Sequence, residues 1–189
     1  VNKIKWDDGH GKDGLEGWRA TVSGNTLIVY AEGSNHENDW KRNFRPWPRV
    51  SHQHPQWRKM AVWLVWEIAR WAKESGATRI VLHGHSMGGA VVLIAADELV
   101  PMGYNVYVVT YGAPKPGILR NTFPITQYRR SGDLVPSVPV LYCKPGKRVV
   151  FGERLPIIKV WREDGKWRIT HPAHEPRSYY EKMEEEGIR

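Results

Sequence analysis

The 189-residue sequence has a single cysteine, Cys143. No disulfide can therefore form within the chain, and the fold must hold by burial in either a reducing or an oxidising compartment. The sequence also lacks any run approaching the roughly 18 apolar residues of a membrane-spanning helix. Residues 1–8 are not the apolar core of a secretory leader. Localisation stays open on these grounds: cytoplasmic for a complete chain, exported for one already processed. No internal repeat, low-complexity tract or linker is present, and 41% hydrophobic with 11% aromatic residues suffices for a substantial core. One domain over residues 1–189 is expected. Zinc-finger spacing, an aromatic-basic RNA-binding signature and a basic helix with heptads are all missing. The formal charge of +8 therefore points away from nucleic acid as a partner and fits contact with an anionic surface such as acidic lipid.

What is present reads as alternating strands and helices. Residues 18–22 and 26–31 are rich in β-formers and separated by a short turn at Ser23-Gly24-Asn25, which predicts an antiparallel hairpin. Trp57, Ala61, Leu64, Val65, Ile68 and Ala72 recur at helical spacing before Gly76, which predicts a long amphipathic helix over 55–75. A compact apolar strand at 79–83, an Ala-rich apolar helix at 87–99 and a buried strand at 105–111 follow. Such a unit requires parallel strands joined by a right-handed crossover, and its long apolar runs predict a sheet covered on both faces. A further strand is expected at 125–130, a hairpin within 156–170 around Asp164-Gly165, and a closing helix at 177–186. The opening 1–17 reads as loop with at most a short strand.

Gly84-His85-Ser86-Met87-Gly88 matches G-x-S-x-G, after a predicted strand and before a predicted helix. In that setting the flanking glycines permit a sharp turn that lifts the serine hydroxyl above the sheet. The Met87 amide at the helix start is then a natural donor to a developing oxyanion. A serine needs a base, and the base needs a carboxylate to orient it and stabilise its charge. Asp133 fits the acid, in a turn just after the strand at 125–130. The competing carboxylates Asp97 and Glu98 lie on the helix leading away from the serine, and Glu153, Glu163 and Asp164 lie on or beside late strands. Only His171 and His174 follow Asp133, and His174, in the loop before the closing helix, is the preferred base. The two could instead ligate a metal, but no carboxylate or cysteine cluster accompanies them, or His36, His52 and His54. No metal and no cofactor is assigned. His83 and His85 read as structural.

These blocks together resemble the class 3 lipase family, α/β-hydrolases typified by small fungal triacylglycerol lipases. Residues Gly84 to Ala90 resemble the family's elbow, Thr110-Tyr111-Gly112-Ala113-Pro114-Lys115-Pro116-Gly117 its next strand and loop, and Asp133-Leu134-Val135-Pro136 with Val138-Pro139 its acid-bearing segment. Ala31-Glu32-Gly33-Ser34 with Asp39-Trp40 resembles its early loop, although the family usually has an aromatic residue and an arginine where Ala31 and Glu32 stand. The resemblance implies an α/β-hydrolase fold, with a mostly parallel central sheet flanked by helices; because the chain is shorter than the fungal enzymes, a minimal or absent lid is expected. It implies hydrolysis of carboxylic esters of lipids or small molecules through Ser86, Asp133 and His174. Ser34 would be the second oxyanion donor beside Met87. The family's histidine is closely followed by an aromatic residue; here Tyr179 comes five positions after His174. Acyl transfer on the same fold and a non-catalytic lipid- or partner-binding module are the alternatives.

The segment 40–49 alternates aromatic residues with cations where the family carries its lid region, a mixture suited to a lipid interface. Trp63 and Trp66 lie partly off the main stripe of the long helix. They belong either to a broad buried face or to an exposed patch.

Overall fold

The computed structural model describes residues 17–33, 53–138, 146–153, 155, 159–163 and 166–187. The opening segment, the aromatic-cationic stretch 40–49, His36, His52, Cys143 and the Asp164-Gly165 turn lie outside them.

Strands β1 (Trp18–Ser23) and β2 (Thr26–Ala31) form the expected antiparallel hairpin, with Trp18 opposite Ala31 and Ser23 opposite Thr26. Helix α1 covers Pro55–Ser75 and closes at Gly76, as its periodicity predicts. It buries Trp57, Met60, Ala61, Leu64, Ile68, Trp71 and Ala72, a stripe continuous over about four turns. Pro55 opens it because a ring-fixed φ suits the first helical position, where no amide bond is lost. Then come β3 (Arg79–His85), α2 (Ser86–Leu99), β4 (Asn105–Tyr111) and β5 (Ile125–Arg130). A three-residue 3-10 turn spans Val135–Ser137, and β6 (Lys147–Phe151) completes the sheet.

The six strands lie in sequence order, β1 antiparallel and β2 to β6 parallel. β6 has no counterpart in the sequence reading. It is five residues long without alternation of apolar and polar positions, and it exists by pairing with β5 from Thr126↔Lys147 to Arg130↔Phe151. The late hairpin, β7 (Lys159–Glu163) with β8 (Lys166–Thr170), forms a separate two-stranded sheet. Helix α3 (Pro176–Glu185) closes the described chain.

One sheet face, with Leu27, Val29, Ile80, Leu82, Val106 and Val108, packs under α1 and α2 to form the main core. Helix α2 is buried along nearly its whole length, which is why its sequence is apolar all round rather than on one stripe. On the other face Ile28, Tyr30, Val81, His83 and Tyr107 are half-buried or exposed, so among the described residues the expected cover is partial there. Helix α3 lies over the β4 to β6 end, where Tyr179 and Met183 pack with Phe151, Tyr111 and Tyr128.

Candidate active site

Ser86 joins the end of β3 to the start of α2. Its φ is 53°, and among the described residues it is the one non-glycine with positive φ. That conformation is strained for a residue with a Cβ, and it projects the side chain above the strand's carboxyl end rather than along it. The turn needs close backbone approach. A Cβ on Gly88 would lie 2.5 Å from the carbonyl oxygen of Ala31, so only glycine lets α2 start this near the end of β2. Gly33, just beyond β2, sits against the serine: a Cβ there would lie 2.8 Å from Ser86 Cβ.

Asp133 lies in the turn after β5, and its amide donates to the Arg130 carbonyl at 3.1 Å. Its side chain is fully enclosed. Oδ1 accepts from the Val135 amide at 2.9 Å, while Oδ2 faces His174 Nδ1 at 2.9 Å and accepts from the Tyr179 hydroxyl at 2.5 Å. A carboxylate can only accept, so His174 Nδ1 carries a proton toward it. Nε2 is then left with a lone pair, facing Ser86 Oγ at 2.7 Å. The hydroxyl donates to that nitrogen.

The three residues expected from the sequence are thus brought into one hydrogen-bonded line, although Ser86 and His174 lie 88 positions apart. His171 is exposed; its carbonyl accepts from the His174 amide at 2.8 Å in the turn that carries His174 inward. Gly112, with φ 60°, follows β4 where a Cβ would come within 2.8 Å of Asp133 Oδ2 and 3.0 Å of His174 Nδ1. Any side chain there would prise the pair apart. Met87 is buried in the first turn of α2, where helix-start amides carry partial positive charge. Ser34 lies outside the described residues.

Two residues around this line were not assigned a part in it by sequence reasoning. Tyr179 is fully buried. Burial, then the charge of Asp133 and the hydrogen bond to it, push its hydroxyl far above the usual tyrosine range, so it remains a donor to Asp133. It also accepts from the Arg130 amide at 3.1 Å, which ties α3 to the acid-bearing turn. The only signal in the sequence is an aromatic residue soon after the histidine. The other is His85, the variable residue of the elbow. Its Nε2 lies 2.9 Å from the His174 carbonyl oxygen, and because a carbonyl only accepts, that nitrogen holds the proton. Burial, followed by the neighbouring His174, lowers His85 to about 3. It therefore stays neutral beside His174 at physiological pH and positions the backbone of that residue without competing for charge.

Asp97, one of the competing carboxylates, is occupied elsewhere. Oδ1 accepts from the amides of Arg120 and Asn121 at 2.8 and 2.7 Å, and Oδ2 from Gln53 Nε2 at 3.0 Å. It fastens the loop after β4 to the segment before α1. Among the described residues no group of three or more His, Cys, Asp or Glu side chains could hold a metal ion.

The fold recurs in solved structures. A native Rhizomucor miehei lipase propeptide complex superposes with a TM-score of 0.62 at 20% identity, covering 79% of this chain and 56% of that one. A nonglycosylated Yarrowia lipolytica lipase gives 0.64 at 16% identity, covering 80% and 67%. A triacylglycerol lipase from Penicillium expansum gives 0.55 at 15%, covering 79% and 68%. At these identities the likeness establishes the α/β-hydrolase fold, and the chain spans little more than half of the Rhizomucor protein. The family model described as lipase (class 3) matches residues 28–142, more than half of the sequence and inclusive of Gly33, Ser86 and Asp133. On that match, the chain belongs to the class 3 lipase family.

Proposed function

We propose that the protein is a serine carboxylic-ester hydrolase acting on acyl esters of lipids. The observation that carries this reading is the unbroken line from Ser86 Oγ through His174 to Asp133, at 2.7 and 2.9 Å. Ser86 attacks the ester carbonyl as His174 Nε2 takes its proton, and Asp133 stabilises the imidazolium so formed. The tetrahedral oxyanion is met by the Met87 amide at the start of α2, with Ser34 as the second donor. The contact of Gly33 with Ser86 supports that assignment, since Ser34 is the next residue in the chain. As the intermediate collapses, His174 returns the proton to the departing alcohol. Water then repeats the sequence on the acyl-enzyme, releasing the acid and restoring Ser86. No cofactor enters these steps.

Tyr179 is a positioning residue in this scheme. Tyr179→Phe removes a donor to a buried carboxylate and leaves the Arg130 amide without its acceptor, a loss of about 1.5–3 kcal/mol. The expected result is a lower melting temperature, with kcat reduced about tenfold and KM nearly unchanged, because the acid acts on the reaction rather than on substrate binding. Thermal unfolding and steady-state kinetics on a soluble ester check it.

The test of the proposal is hydrolysis of p-nitrophenyl esters from acetate to palmitate, combined with a p-nitrophenyl alkylphosphonate and mass spectrometry of the labelled peptide. Turnover, with stoichiometric phosphonylation at Ser86, is expected, and the chain-length optimum separates esterase from lipase behaviour. A parent protein inert toward every ester and unlabelled by phosphonate sinks the reading.

A further inference from the structure

The outer face of α1 holds three apolar side chains in the open: Val62 is 43% exposed, Trp63 54% and Trp66 74%. The sequence left open whether these tryptophans are buried, and they are not. Spacings of three and four place Trp63 and Trp66 on one stripe with Lys59, which Arg58 adjoins, and Lys73 lies two turns beyond. Both Arg58 and Lys59 are exposed. Arg70 pairs with Glu67 and Glu74 at 2.6 and 3.2 Å, and the part of α1 before Glu67 contains Arg58 and Lys59 and no acidic residue.

The patch lies at the same end of the sheet as the serine. The Trp63 ring is 5.3 Å from that of Trp18, Trp18 pairs with Ala31, and Ala31 pairs with Gly84, two residues before Ser86. With neighbouring strands about 4.8 Å apart, Trp18 and Gly84 are separated by roughly 10 Å. The exposed part of the three side chains amounts to roughly 300–400 Å², well short of the ~800 Å² that each partner contributes to a stable protein interface. Indole rings framed by lysine and arginine instead match the headgroup boundary of a bilayer, where ring bodies enter apolar surroundings and cations meet acidic lipid.

We propose that the face of α1 centred on Val62, Trp63 and Trp66 docks the protein on an anionic lipid surface. This rests on the lipid-ester reading and adds the surface that would hold the Ser86 end of the sheet against its substrate layer. The face is independent of the catalytic line, so binding and chemistry can be separated.

The experiment compares the parent with Trp63→Ser/Trp66→Ser, Trp66→Ser and Arg58→Gln/Lys59→Gln. Each is sedimented with vesicles of phosphatidylglycerol and phosphatidylcholine in equal parts and with vesicles of phosphatidylcholine alone, and each is assayed on p-nitrophenyl butyrate without lipid. The double tryptophan variant should lose at least about tenfold in partitioning to anionic vesicles, and Trp66→Ser, which leaves the Trp18 contact intact, should lose part of that. The Arg58/Lys59 variant should lose about fivefold per charge on anionic vesicles alone. Butyrate turnover should not change. Equal vesicle binding by the parent and the double tryptophan variant overturns the proposal, as does a parent that ignores vesicles but forms a light-scattering dimer abolished by the same substitutions. Absent butyrate turnover with tryptophan-dependent vesicle binding would instead sink the hydrolase reading and leave the docking face standing.

Discussion

Alanine at Ser86 or at His174 is expected to lower kcat on a soluble ester by about 10⁶-fold, and the double variant should be no worse than either single one. The two act as a unit: without the base the hydroxyl keeps its proton, and without the hydroxyl the base has nothing to activate. KM should move little, because neither substitution touches the acyl pocket. A residue of ~10³-fold or more over the uncatalysed rate should survive in all three, since the donors at the start of α2 still meet the oxyanion. Asp133→Asn should fall between, at about 10⁴-fold, because an amide can donate to Nδ1 and so favour the wrong tautomer. Active-site titration with the phosphonate sets the enzyme concentration for the parent. If His174→Ala retains near-parental kcat while His171→Ala loses it, the base is misassigned.

The second large effect is on stability and lies away from the chemistry. Asp97→Ala strips the acceptor from the part-buried amides of Arg120 and Asn121 and from the buried Gln53 amide. A fully buried stranded donor costs about 1–3 kcal/mol; with the two backbone amides only part-buried, the total is expected at the low end, roughly 3–5 kcal/mol. For a chain of this length that corresponds to a drop of about 10 °C in melting temperature. Asp97→Asn, which keeps one acceptor oxygen, should lose less than half as much. The loop held by Asp97 follows β4 and carries Ala113, whose Cβ lies within 2.5 Å of where a Cβ on Gly89 would stand. Asp97 bonds Gln53, Arg120 and Asn121 and none of the side chains of the catalytic line, so activity measured well below the melting transition should fall far less than stability. A melting temperature within 2–3 °C of the parent, about 1 kcal/mol, would show that the loop finds its amide partners elsewhere.

Much of this molecule could be read from local pattern. Helix α1 announces itself through a stripe at helical spacing and Gly76, and the β3–α2–β4 unit through continuous apolar runs that suit burial under helices. The elbow was legible because its glycines answer a steric demand visible in the motif itself. Asp133 was legible because it stands in a turn directly after a strand that points at the same edge. Features created by distant pairing were not legible. The strand at Lys147–Phe151 has no alternation to betray it and is defined by β5. Chain order reduced eight histidines to two, but only the 171–174 turn shows that His174 points inward while His171 faces solvent. The use of Tyr179 depends on where α3 docks, and that depends in turn on Phe151, in the strand the sequence did not announce. The exposure of Trp63 and Trp66 is likewise a property of the sheet's edge rather than of their own helix.

The line from Ser86 to Asp133 to His174 is also a statement about time. Its members are separated by 41 and 88 positions, and the histidine comes last. Closing such long loops is slow compared with forming a helix or hairpin, because chain entropy is lost before the contact repays it. As the chain leaves the ribosome, the strained serine and its helix can form while the base is still unmade. Ser86 therefore stays an ordinary hydroxyl until residues beyond position 174 have emerged and α3 has seated Tyr179 against Asp133. However early the elbow forms, the line to Ser86 is complete only once residues 171–174 and α3 have joined the folded sheet.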